Sequence, residues 1–234
     1  MPSSSDNSPL IKTRLEALQE RIGLACARYG RNVADVTLIG VSKTKPVEDI
    51  VSAHDLGLTH FGENYLQEAV DKIKGLQALN AQWHYIGTIQ SNKTRDIAEH
   101  FDWVHTVDRM KIGSRLSAQC PQGKTIKVLV QVNIDSDPNK GGCPSSQTAS
   151  LVHELLEQPN LEIRGLMTIL SKDSEPRASY ESVAQLSASI GQGLNPEQRK
   201  DWGSLSMGMT GDMDEAIAAG ATHIRIGTAL FGGR

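Results

Sequence analysis

A single (β/α)₈ barrel, an α/β fold, with one extra helix at its N-terminal side is the fold class this sequence predicts. Three observations carry it. Eight short apolar runs alternate with segments of helical period along almost the whole chain, as in an α/β protein built on a parallel sheet. Several runs, such as KVLVQVN at 127–133, are apolar on both sides, which suits parallel strands covered on both faces. The chain of 234 residues is long enough for one barrel and its core but tight for a barrel plus a second domain. An open doubly wound sheet also alternates, but it calls for a glycine fingerprint after the first strand. Here KTKP stands at 43–46.

The elements follow in order. Residues 1–8 are polar and rich in Ser and Pro and are expected to be disordered, leaving one barrel domain over 9–234. Leu10, Leu15, Leu18, Ile22 and Leu24 recur at helical spacing, and Gly30 is placed to cap the helix they predict. Strands are expected over Val36–Ser42, around Thr59–Phe61, and over Trp83–Ile86, Trp103–Val107, Lys127–Asn133, Ile163–Ile169, Ser204–Met207 and His223–Ile226. Helical period marks Val47–Leu56, Tyr65–Leu79 and Asp212–Ala219 between them.

Composition narrows the function. A net charge of −3 gives no bulk attraction to nucleic acid or to an anionic membrane. Aromatic residues are 4% of the chain, too few to supply stacking platforms for single strands. No run is long and apolar enough to span a bilayer, and the first residues lack the basic and apolar regions of a secretory signal. The three cysteines, Cys26, Cys120 and Cys143, form no CxxC pair. They are expected to be free thiols in a reducing cytosol.

In a barrel the active site lies where the strands end, so polar residues at those ends are the candidates. Lys43 closes the first run. Burial beside apolar walls lowers a lysine's pKa and frees its amine to attack a carbonyl. Lys45 is two residues away, and chemistry alone does not separate the two. The seventh run leads into SMGMTGD at 206–212 and the eighth into GTA at 227–229. Loops in these places often bind phosphate through backbone N–H groups, with Ser206, Gly227 and Thr228 as the donors here, or as ordinary loop caps. Arg225 sits inside an apolar strand and needs a partner, either a ligand or a carboxylate such as Glu63 or Asp135. Asn64 follows the second strand and is placed to meet a ligand. Gln131 and Asn133 alternate at the end of the fifth strand and are placed to face the lumen. Met167 on the sixth is placed to pack on a ligand ring. His84 suits either a satisfied core or a ligand contact. His100, His105, His153 and His223 show no metal-type spacing with carboxylates. An amine facing a phosphate cradle suggests a bound aldehyde phosphate.

The stretches VSKTKP at 41–46, HFGENYLQE at 60–68, WHYIGTIQSNK at 83–93, VLVQVNID at 128–135, RGLMTI at 164–169, LSMGMTGDMDEAI at 205–217 and HIRIGTALFG at 223–232 make the chain resemble the pyridoxal phosphate homeostasis protein family. The likeness covers nearly all of the chain. It implies a barrel like the N-terminal domain of alanine racemase, with pyridoxal 5′-phosphate held as a Schiff base on Lys43 rather than Lys45. It further implies that Ser206, Gly227 and Thr228 hold the phosphate, that Arg225 meets the pyridine nitrogen, and that Asn64 and Met167 lie near the ring. Thr210 stands where the family often has serine, and DPNKGGCP at 137–144 departs from its usual loop. The function implied is a cytoplasmic, monomeric regulator of the free cofactor, with apo-enzymes that use the cofactor as possible recipients. A racemase or an aldolase acting through the same lysine is the alternative, and a phosphosugar aldolase without cofactor is a third reading. A guanidinium donates and never accepts, so Arg225 weakens the ring as an electron sink and favours little or no turnover.

Overall fold

The computed structural model describes residues 7–233. The elements among them are α1 (Ser8–Arg28), β1 (Thr37–Val41), α2 (Val47–Asp55), β2 (His60–Glu63), α3 (Leu66–Gly75), β3 (Gln82–Tyr85), α4 (Thr94–His100), β4 (Trp103–Val107), α5 (Met110–Gln119), β5 (Ile126–Asn133), β6 (Cys143–Pro144), α6 (Ser145–Leu156), β7 (Leu161–Met167), α7 (Pro176–Gly193), α8 (Pro196–Arg199), β8 (Ser204–Ser206), α9 (Met213–Ala218), β9 (His223–Ile226) and α10 (Thr228–Phe231). Strands pair in the order β4-β3-β2-β1-β9-β8-β7-β5, and β4 with β5 closes the ring. Every pairing is parallel, so all eight strands end on one face. The sequence expectation of a (β/α)₈ barrel is met. The two-residue β6 was not foreseen: it lies in the loop after β5 and pairs Cys143 with Val132 and Pro144 with Asn133.

The N-terminal helix starts at Ser8, so the expected disordered leader does not include that residue, and residues 1–6 lie outside the described residues. Its buried stripe is Ile11, Leu15, Leu18, Ile22, Ala25 and Cys26, a helical period packed on the barrel's outside. Leu10 and Leu24 are instead 55% and 64% exposed, because each lies off that stripe by about a quarter turn or more. The cap is the expected one. Gly30 takes φ +65°, Arg31 N–H bonds to Cys26 carbonyl at 2.9 Å, and Gly30 N–H bonds to Ala27 carbonyl at 3.4 Å, which together form a Schellman motif.

Alternation along the strands divides the molecule into two cores. The outward set, including Phe61, Trp83, Tyr85, Val104, Val128, Val130 and Leu166, packs with the helices in one large apolar layer. The inward apolar set includes a small separate cluster of Trp103, Leu129 and Met167. The lumen also holds buried polar groups, among them His84, His105, Ser206 and Arg225. A parallel barrel is normally filled with branched aliphatic side chains, so a polar line through the lumen demands internal partners for every group.

Candidate cofactor site at the strand ends

Lys43 lies two residues past the end of β1, in a tight turn closed by Lys45 N–H to Ser42 carbonyl at 3.0 Å. Thr44 adopts φ +62°, a left-handed conformation uncommon in a residue with a branched side chain. A charge network holds it there. Glu68 accepts the Thr44 N–H at 2.6 Å, and Ser42 donates its hydroxyl to Glu63 at 2.7 Å. Lys72, on α3, binds Glu63 at 2.9 Å, Glu68 at 2.5 Å and the Ser42 carbonyl at 2.7 Å. Burial pushes the Glu63 carboxyl up, against Lys72, which pulls it down. The residues on both sides of Lys43 are therefore pinned. Its own Nζ makes no hydrogen bond among the described residues, whereas Lys45 Nζ donates to the Gly233 carbonyl at 2.6 Å.

Arg225 projects from β9 into the lumen and is 5% exposed. Its Nη1 donates to Ser206 Oγ at 2.8 Å and its Nη2 to the Thr168 carbonyl at 2.9 Å. It forms no ion pair among the described residues. The alternative partners weighed from the sequence are engaged elsewhere: Glu63 with Lys72, and Asp135 with Ser171 N–H and the Ser179 hydroxyl. Burial lowers the guanidinium pKa, while Tyr180 and Asp212 act in the opposite sense from a distance.

Gly227 and Thr228 join Val41, Lys43, Thr44, Lys45 and Gly232 around a cavity of about 80 Å³. The first N–H groups of α10 have no intrahelical acceptor and begin at Thr228. The neighbouring loop after β8 is braced: Asp212 accepts Met209 N–H at 2.6 Å and the buried Tyr180 hydroxyl at 2.8 Å, and Arg21 of α1 reaches the Thr210 carbonyl at 2.9 Å. Larger cavities, of about 290, 370 and 430 Å³, lie against the outer helices or at the other end of the barrel. None of them includes Lys43 or Thr228, so chemistry and not volume locates the site.

The other expected residues divide. Asn64 follows β2, and its Oδ1 is buried with no partner among the described residues. Its backbone is approached so closely by Gly87 that a Cβ there would sit 2.2 Å from the Asn64 carbonyl oxygen. Gln131 and Asn133 bind the loop after β5, through the carbonyls of Gly141 and Asp137. Ser206 and Met167 are fully buried, Ser206 behind Arg225 and Met167 in the interior cluster with Trp103 and Leu129. Ser206 is not among the residues lining the cavity at Gly227 and Thr228. His84 belongs to a chain of histidines. The sequence pattern does not mark Lys72, Tyr180, Asp212 or that chain as site residues. The strand-parity phase shared by His60 and His84 was the one signal available. Among the described residues no group of three His, Cys, Asp or Glu is placed to hold a metal ion.

The fold and this strand-end lysine define a class, the alanine racemase N-terminal domain, whose family pattern matches residues 14–234. Curated relatives named pyridoxal phosphate homeostasis protein are 44% identical over 96% of both chains in Haemophilus influenzae and 43% identical over 96% of this chain and 97% of the relative in Escherichia coli K12. The chain belongs to this family. Among solved structures, PipY of Synechococcus elongatus with pyridoxal phosphate bound is 34% identical, at a TM-score of 0.81 over 95% of this chain and all of PipY. An alanine racemase from Corynebacterium glutamicum, 13% identical with a TM-score of 0.69 over 97% of this chain and 61% of its own, shares the fold alone.

Proposed function

We propose that the chain binds pyridoxal 5′-phosphate at the strand-end site and regulates its free level, with little or no amino-acid turnover. The names of the relatives and the ligand bound to PipY support this reading. One observation on this chain carries it. Lys43, Lys45 and Lys72 cluster at the end of β1, and Lys43 alone has an unengaged amine, on the wall of the cavity at Gly227 and Thr228. The other residues fit the group. Among the described residues Arg225 is a buried cation without a carboxylate, and the Asn64 Oδ1 is a buried acceptor without a donor.

Bound there, the cofactor supplies an aldehyde that an amine attacks and a ring that accepts charge when its nitrogen is protonated. Lys43 offers the amine, held in place by a turn whose neighbours are tied to Glu63 and Glu68. Gly227 and Thr228 offer N–H groups and a hydroxyl to the phosphate. Arg225 offers donors to the ring nitrogen and no proton to share. Ser206, behind Arg225, acts through it, and Met167 fills the floor. The buried tyrosines are engaged, Tyr180 on Asp212 and Tyr85 on the Thr88 carbonyl, so neither stands ready as a base. A monomer of one domain over 9–234, in a cytosol that keeps the three free thiols reduced, with apo-enzymes as recipients, completes the proposal. Among the described residues no helix is long and apolar enough to cross a membrane.

Titrating the protein with pyridoxal phosphate tests it. An absorption band distinct from that of the free aldehyde should grow to one equivalent in the wild type and be absent in Lys43→Ala, with circular dichroism unchanged. A wild-type spectrum that is only the sum of protein and free cofactor would refute the reading. Rapid deuterium wash-in at Cα of added amino acids would move the racemase or aldolase reading ahead.

A further inference from the structure

Three imidazoles, His84 and His105 buried and His60 half-buried, run in line from the base of the barrel to Arg225. His60 Nδ1 lies 2.9 Å from His84 Nε2, His84 Nδ1 lies 2.9 Å from His105 Nε2, and His105 Nδ1 lies 2.9 Å from Ser206 Oγ. Strand register explains the line. His60 is level with Gln82 and His84 with Trp103, so each histidine bonds to the residue two positions further along the next strand, and the chain climbs the barrel wall. His105 then bonds across the lumen to Ser206 on β8. Trp103 stacks on His84 with ring centroids 5.5 Å apart. At the lower end His60 lines the cavity of about 290 Å³ together with Ile22 of α1 and Leu58.

Counting protons gives the chain a direction. Arg225 only donates, so its Nη1–H ends on the Ser206 oxygen. Ser206 has one proton, and His105 Nδ1 is the remaining polar partner of its hydroxyl among the described residues. A buried hydroxyl proton without an acceptor is costly, so Nδ1 of His105 accepts. Burial first lowers all three histidines, with neighbouring cationic groups adding to it at His84 and His105 and Lys127 adding to it against Asp102 at His60, so the rings are neutral near pH 7. A neutral ring that accepts at Nδ1 carries its proton on Nε2. His105 therefore donates to His84, and His84 donates to His60, whose own Nε2–H remains at the base.

We propose that His105, His84 and His60 are positioning residues for Arg225: a directed relay of neutral Nε2–H imidazoles that orients the Ser206 hydroxyl and so fixes the guanidinium. The relay holds a buried cation in place with no carboxylate. It leaves three of the five guanidinium N–H donors free of acceptors among the described residues. It also keeps a strong proton acceptor or donor away from the ring nitrogen that Arg225 faces, a consequence that rests on the cofactor reading above.

Long-range ¹H–¹⁵N correlation spectra of the full, cofactor-free chain labelled on histidine and arginine test the relay. His60, His84 and His105 should all appear as neutral Nε2–H tautomers, and Arg225 should show separate, slowly rotating Nη signals. His105→Leu, which gives Ser206 no acceptor, should collapse those Arg225 signals. His105→Asn, which returns an oxygen near the Nδ1 position, should restore them. With pyridoxal phosphate bound, the visible maximum should shift in His105→Leu and return in His105→Asn. An Nδ1–H tautomer at His105, or Arg225 signals untouched by His105→Leu, would overturn the proposal. If His105→Leu does not fold, the wild-type tautomers still decide. A wild type that takes up no cofactor would sink the cofactor reading and leave the relay to be judged on the cofactor-free spectra.

Discussion

Lys72 and Arg225 are both buried cations, 6% and 5% exposed, and their surroundings are opposite. Lys72 binds two carboxylates and a carbonyl. Arg225 meets a hydroxyl and a carbonyl and no carboxylate. The first cation is complete within the protein and serves structure, tying α3 to the turn that presents Lys43. The second is left open, since an interior charge without a counter-ion is tolerated only where dipoles or a ligand answer it. On the proposed cofactor reading, the closely paired cation is scaffold and the incompletely paired one belongs to the site.

The most direct break of this contrast is in stability. Lys72→Met strands the Glu63 carboxylate in the interior and should cost about 3–5 kcal/mol. Arg225→Met removes a charge that had no counter-ion, and in the cofactor-free chain it should change stability by only about 1 kcal/mol, because Ser206 keeps His105. Urea midpoints of the two variants measure both. Equal losses would erase the distinction.

The histidine side of the lumen gives the next effect. Burial, with His60 and Arg225 adding to it, holds His223 at about 4 in the fold. An unfolded chain takes up that proton near pH 6.5, so it binds more protons than the folded chain between those values. Stability is fully present above about pH 6.5 and falls as the pH drops towards about 4, by roughly 3 kcal/mol for this group. The His223→Asn variant should flatten that part of the curve. An unchanged slope would mean the ring is not held neutral by burial.

How much of this was legible in the sequence follows from what kind of information each feature needs. The alternation of apolar runs gave the eight barrel strands to within a few residues, and the position after the first of them marked Lys43 and Lys45 as candidate amines without separating the two. The apolar flanks of Arg225 showed that its charge lay inside. Three things were not visible. Ser206 reads as a phosphate donor, and in the structure its hydroxyl meets Arg225 and His105 inside the lumen, contacts that the spacing along one strand does not contain. Glu63 reads as a partner for Arg225, yet β2 turns it outward to Lys72, since strand parity sends Gly62 and not Glu63 to the lumen. The histidine chain depends on a two-residue offset between neighbouring strands, which no single strand contains.

Two smaller tests sharpen the picture at the open end. Removing the Thr228 hydroxyl, as in Thr228→Val, should weaken pyridoxal phosphate binding by about one to two orders of magnitude, the worth of a hydrogen bond to a charged acceptor. Pyridoxal lacking the phosphate should bind wild type and variant alike. Arg21→Ala releases a bond to the Thr210 carbonyl and an ion pair with Asp214 at 3.0 Å whose two side chains are 40% and 33% exposed. Such a pair is worth about 1 kcal/mol or less, so thermal unfolding should shift only slightly, which a calorimetric scan would register.

Of the lysines gathered at the end of β1, only the one with an unengaged amine should take the ligand. Borohydride reduction of the protein loaded with pyridoxal phosphate, followed by digestion and mass spectrometry, tests it most directly. The pyridoxyl group should appear on Lys43 alone. Label on Lys45 or Lys72, whose amines the structure shows engaged with Gly233 and with Glu63 and Glu68, would contradict it.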